Sequence, residues 1–150
     1  MNATDAPSAP ERQEHPAPHR NRVGRVSIWF GVLGAGIAWN LQELFNITLA
    51  GYFCYPHDVP LAEPLWSGLR ATTFVIDALA IVVCVAAGLV AFANWRRSRG
   101  EKAGDATQLL GNGDGRTRFM AMAGMVASGL FLFATIASLL YIVVGAPCGG

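Results

Sequence analysis

The stretch FMAMAGMVASGLFLFATIASLLYIVVG, residues 119–145, decides the fold. It contains no Asp, Glu, Lys, Arg or His, and Tyr141 is its one ionisable side chain. A hydrocarbon core of roughly 30 Å is crossed by about 20 helical residues rising ~1.5 Å each. The run is therefore long enough to cross a bilayer as a single helix. Working outward, two earlier runs have comparable length, at about residues 71–94 and 26–53. The middle one holds Asp77 and the first holds Glu43. A charge at mid-membrane costs at least ~2.5 kcal/mol on insertion scales, but residues 26–42 carry none. A cleaved signal peptide competes for the first run; its long polar leader and extended apolar stretch argue against that reading.

Composition points the same way. The 150 residues are 53% hydrophobic and 14% charged, with a positive mean hydropathy of +0.37, whereas soluble domains carry about 25% charged residues. The expected fold is an all-α, integral-membrane three-helix bundle over residues 23–150, preceded by a disordered cytoplasmic tail over residues 1–22. That tail is rich in Pro, Ala and charge and too poor in aliphatic residues to order itself. His15 and His19 within it are separated by Pro16 and Pro18, which prevent a helix that would pair them as ligands.

Of the basic residues, only Arg70 lies outside residues 1–25 and 95–118. Lysine and arginine accumulate on the cytoplasmic side of membrane proteins. The N-terminus and the second connection should therefore be cytoplasmic, and the first connection and the C-terminus outside. The first connection contains three prolines, and Tyr52, Tyr55 and Trp66 around it suit interfacial anchors. The second connection is glycine-rich, lacks a GK[ST] phosphate loop and lacks calcium-loop spacing, and so is read as a linker. A net charge of +1 makes no electrostatic case for nucleic acid. The expected partners are the lipid bilayer and other membrane-protein subunits or a second copy of the chain.

Small residues allow helices to approach closely in lipid. Gly31 and Ala35, Gly34 and Ala38, Gly124 and Ser128, and Ala134 and Ser138 each stand four apart. At 100° per residue, Asn40, Glu43 and Ile47 share a stripe with Asn46 beside it, while Gln42 falls on another flank. Asp77 enters at a depth similar to Glu43. Asn40, Glu43, Asn46 and Asp77 thus form an expected polar intramembrane cluster. One reading makes it a structural knot with Thr72, Thr73 or Arg70 as further partners; the other makes Glu43 and Asp77 a proton- or cation-binding pair.

Cys54 follows the first span and Cys148 the third, so the assigned topology places both on an oxidising outer face. A disulfide between them is the expected use. A metal site of Cys54, His57, Asp58 and Cys148 is the alternative, with copper favoured by soft ligands and an imidazole; unlinked thiols are a third reading. Cys84, inside the second span, is expected to be a packing residue. His57 is the only histidine outside the tail, which leaves no nucleophile–base arrangement for a hydrolase. No catalytic residue, no resident cofactor and no enzymatic activity are expected.

GAGIAWNLQELFNITLAGYFCYP, residues 34–56, together with PCG at residues 147–149, resembles small multi-span bacterial proteins encoded beside haem-copper terminal oxidase subunits. Gly36, Ala38, Trp39, Tyr52, Cys54, Pro147 and Cys148 carry the likeness. Ile37 stands where that pattern has proline, and its histidine is absent here. The resemblance implies a bacterial inner-membrane accessory or assembly component of a respiratory oxidase. Two other functions remain in view: a homo-oligomeric ion or small-solute transport unit using Glu43 and Asp77, and a periplasm-facing metal or thiol-redox factor.

Overall fold

The computed structural model describes residues 23–57, 59, 61–99, 115–145 and 148. The expected tail over residues 1–22, the middle of the second connection and Asp58 lie outside them. The described chain is helical, with α1 (Arg25–Cys54), α2 (Leu69–Arg97) and α3 (Arg116–Val144) and no strand among the described residues. The helices begin and end within a few residues of the apolar runs, because helical geometry continues a short way into the polar flanks. The second helix ends just after Asn94, where Arg96 and Arg97 supply favourable cations to its C-terminal turn.

The distribution of side chains is the reverse of a soluble bundle. Apart from Val23 and Leu69 near the bundle ends, buried positions are occupied by small or polar residues, among them Gly31, Ala35 and Gln42 on α1; Thr73, Asp77, Ala80, Cys84, Ala87, Ala91 and Asn94 on α2; Ala121, Gly124, Ser128 and Thr135 on α3. Large apolar residues face outward, among them Ile37, Leu44 and Ile47 on α1, Leu79, Val82 and Leu89 on α2, and Val126, Leu130 and Phe133 on α3. The buried residues of α2 recur at alternating spacings of three and four, which keep one stripe facing its neighbours as in a coiled-coil seam. Small side chains along that stripe draw the backbones together and substitute close packing for bulk.

Gly124 marks the tightest approach. A Cβ at this position would lie 2.5 Å from the Gly31 carbonyl oxygen and 3.2 Å from Ala91 Cβ, so all three helices meet there. Gly115 precedes α3 at φ 70°, a left-handed conformation in which other residues are strained. Between α1 and α3, Trp39 and Phe131 pack with ring centroids 5.4 Å apart.

α2 and α3 are long and apolar enough to cross a membrane. α1 is just as long, 30 residues against 29 for each of the others, yet Asn40, Gln42, Glu43 and Asn46 keep it below that hydropathy. Its length and the charge-free run 26–42 are what group it with the other two in the sequence.

At the end of the bundle where α1 finishes, Cys54 and Cys148 form a disulfide with a Cα–Cα distance of 5.3 Å. The bridge packs on Leu69 at the start of α2, with Leu49 and Phe53 around it. The first connection folds back onto α1: Leu61 N–H donates to the Cys54 carbonyl at 2.9 Å and Leu65 N–H to the Phe53 carbonyl at 3.0 Å. Two carbonyls that the helix end leaves unpaired are thereby satisfied. Arg70 does the same for α3 by donating from its guanidinium to the Val143 carbonyl.

Candidate functional site

The polar residues of α1 become a site because helical turns bring Gln42 and Asn46, four apart, onto the face that meets α2. Asn46 Nδ2 donates to Asp77 Oδ1 at 2.7 Å, and Asp77 is fully buried. One step around α1, Glu43 faces α3, where Ser138 Oγ donates to Glu43 Oε1 at 2.6 Å. Gln42 Nε2 approaches the same Glu43 oxygen at 3.4 Å. The group therefore ties all three helices through side chains.

Of the residues expected in the cluster, Glu43, Asn46 and Asp77 are brought together and Asn40 is not. Asn40 is exposed and donates to the Gly36 carbonyl in its own helix at 2.8 Å. Gln42 takes the inward place instead, 2% exposed. An ideal stripe through Asn40 and Glu43 missed this, whereas the buried series Gly31, Ala35, Gln42, with gaps of four and seven, carries the correct register. Thr73 does not bind either carboxyl; its hydroxyl donates to Leu69 and Arg70 carbonyls on α2. Arg70 is committed to Val143.

Above the cluster, toward the disulfide, a groove of about 440 Å³ is lined by residues from all three helices, including Glu43 and Asn46 on α1, Arg70 and Thr73 on α2, and Ser138 and Tyr141 on α3. Ile47, Ala50, Leu69, Ala137 and Ile142 give it apolar walls. Glu43 and Asn46 thus stand both in the groove and in the cluster.

A second polar clasp lies at the opposite end, between residues that the sequence reading does not single out. Ser27 Oγ donates to Asn94 Oδ1 at 2.9 Å, while Asn94 Nδ2 donates to the Ser27 carbonyl at 3.1 Å. Asn94 is 2% exposed. Its place in the buried three-and-four spacing of α2 is the signal in the sequence that could have found it.

The outer cysteines are joined to each other, so the alternative set of Cys54, His57 and Cys148 does not supply two thiolates, and His57 is exposed. Among the described residues no group of three or more His, Cys, Asp or Glu could hold a metal ion. Cys84 is buried and unbridged, with its sulfur 3.8 Å from the Ala35 carbonyl. Compared with protein-family models, curated proteins and solved structures, the chain has no match. Its chemistry must therefore be read from the site itself, which offers oxygen acceptors and a few committed donors.

Proposed function

We propose that α1, α2 and α3 each cross a lipid bilayer, and that the protein is a non-enzymatic accessory or assembly subunit of a larger membrane complex. The observation that carries the membrane reading is the inverted side-chain distribution. Apolar groups facing lipid cost nothing to expose, while buried polar groups must satisfy one another. This extends to α1: its polar residues either turn inward, as Gln42 does, or bond to their own backbone, as Asn40 does.

The bundle's polar groups act as interhelical clasps at two levels, Ser27 with Asn94 and Asn46 with Asp77. That supports a structural unit whose outward surface is free to meet neighbouring subunits. The resemblance around residues 34–56 makes a terminal oxidase in a bacterial plasma membrane the first complex to test. Purification of the tagged chain in mild detergent should recover oxidase subunits. Repeated recovery of the chain alone would count decisively against this role.

The groove favours a second reading, a small ion- or solute-conducting unit, because it brings an acid and an amide to the floor of a three-helix vestibule. Glu43→Gln with Asp77→Asn should abolish flux in proteoliposomes if that reading holds, and should leave a purely structural subunit assembled with its partners.

A further inference from the structure

Among the described residues, buried side-chain oxygens without a protein hydrogen-bond partner are Gln42 Oε1, Asn46 Oδ1, Asp77 Oδ2 and Ser128 Oγ. The first three belong to side chains that meet in one cluster. Gln42 is 2% and Asp77 0% exposed, so neither residue faces bulk solvent, while Asn46 stands in the groove. Every orphan in the cluster is an acceptor.

Turning the amides does not cure the shortage. Reversing Asn46 would withdraw the donor that holds Asp77 Oδ1 and set oxygen against oxygen. Reversing Gln42 would do the same to its contact with Glu43 Oε1. The neighbouring hydroxyls are already engaged, Ser138 on Glu43 and Thr73 on carbonyls of α2, and Arg70 directs a guanidinium N–H to the Val143 carbonyl. Among the described residues, Glu43 of α1 is the charged neighbour of Asp77, while Arg70 and Cys84 stand two turns away on either side along α2. What the cluster lacks is positive charge.

We infer that Gln42, Asn46 and Asp77 form a binding site for a monovalent hard cation, sodium, reached through the groove in which Asn46 and Glu43 stand. Carboxylate and amide oxygens are the donors such ions take. Soft metals prefer the sulfur and imidazole that are missing here. Asp77 is the one carboxylate among the three proposed ligands, and it is fully buried, so a single positive charge balances it. The inference rests on the reading of the bundle as embedded in lipid, where such a cluster is shielded from bulk water. It adds a ligand to either functional reading above.

The test is direct binding of radioactive sodium to the full chain in nanodiscs, at constant ionic strength maintained with choline chloride. Wild-type protein should bind saturably, and sodium should raise its thermal midpoint relative to choline. Asp77→Asn, which removes the charge, and Gln42→Met, which removes an oxygen ligand, should each weaken binding about tenfold or more, the scale on which loss of supporting groups lowers metal affinity. Non-reducing gels that report the Cys54–Cys148 bridge, with circular dichroism, establish that the variants fold. Should they misfold, the wild-type isotherm and sodium-dependent midpoint still decide. Absence of saturable binding at about 0.1 M sodium, an ionic strength with a Debye length of ~10 Å, would overturn the inference. So would undiminished binding by folded Asp77→Asn, or stabilisation by acid alone with no response to sodium. Partner recovery in mild detergent is a separate readout, so either conclusion can fail without the other.

Discussion

Gly124 occupies the point where one added carbon has nowhere to go. A methyl group there would sit 2.5 Å from the Gly31 carbonyl oxygen, which is backbone and cannot rotate away. Gly124→Ala should therefore force α1 and α3 apart and cost about 1–3 kcal/mol, the usual range for overpacking. Gly129→Ala is the matched control, because nothing lies within 4 Å of its Cβ and alanine is the better helix former. Thermal unfolding in detergent should separate the two, with Gly129→Ala at or above wild type. Asparagines of α1 divide in the same way. Asn46→Leu strips Asp77 of its donor and should destabilise by about 1–3 kcal/mol, the penalty for an unsatisfied buried group. Asn40→Leu removes only a bond to its own turn and should leave bundle stability within about 0.5 kcal/mol; equal losses for the two would refute the assigned register. That Glu43 and Asp77 share a depth was legible from counting residues. That Gln42 rather than Asn40 faces inward was not, since residue polarity indicates an inward face only after the small-residue seam has fixed the rotation.

At the scale of elements, the helices were readable because hydrophobic length dominates everything else: expected runs of 71–94 and 119–145 became Leu69–Arg97 and Arg116–Val144. α1 was harder, because its four polar residues lower its hydropathy, and only packing reveals where they point. The joint between elements was also readable, since two cysteines at ends of the first and third helices can meet when the helices alternate in direction. Their bridge closes a sequence separation of 94 residues. Loops of this size lose substantial chain entropy on closure, and Cys54→Ser should cost about 2–4 kcal/mol, toward the lower figure where helices persist in the unfolded state. Non-reducing electrophoresis should show the change in mobility, and Cys84→Ala should not reproduce it. Arg70→Ala should loosen the same end by freeing the Val143 carbonyl; hydrogen exchange should rise in the last turn of α3 while the Ser27–Asn94 clasp keeps its protection. The clasp and the Arg70 bond were not visible in the sequence, because each depends on which distant turn happens to lie level with it.

At the scale of the molecule, charge and redox chemistry constrain one another. The three helices put the end of α1 and Cys148 at the same end of the bundle, where Cys54 and Cys148 are bridged. The opposite end collects Arg96 and Arg97 from α2 and Arg116 and Arg118 from α3. Arg99 lies over the Trp95 ring at 4.6 Å and Arg96 over Phe92 at 6.0 Å, pairing cations with aromatic faces as suits a membrane interface. The proposed orientation therefore has the basic end in the cytoplasm and the disulfide outside, and each half of that statement could fail alone. A periplasmic phosphatase fused after Gly150 should be active, and a cytosol-dependent fluorescent protein inserted in the second connection should fluoresce. Reversing the bias, by replacing Arg96, Arg97 and Arg99 with Ser while adding lysines near Glu63, should lower both signals and leave Cys54 and Cys148 reduced. The positive-inside preference acts through short loops, and a thiol pair facing the cytosol is kept reduced. Retention of the disulfide after demonstrated inversion would mean that its formation does not report the compartment, and would remove the redox support for the orientation.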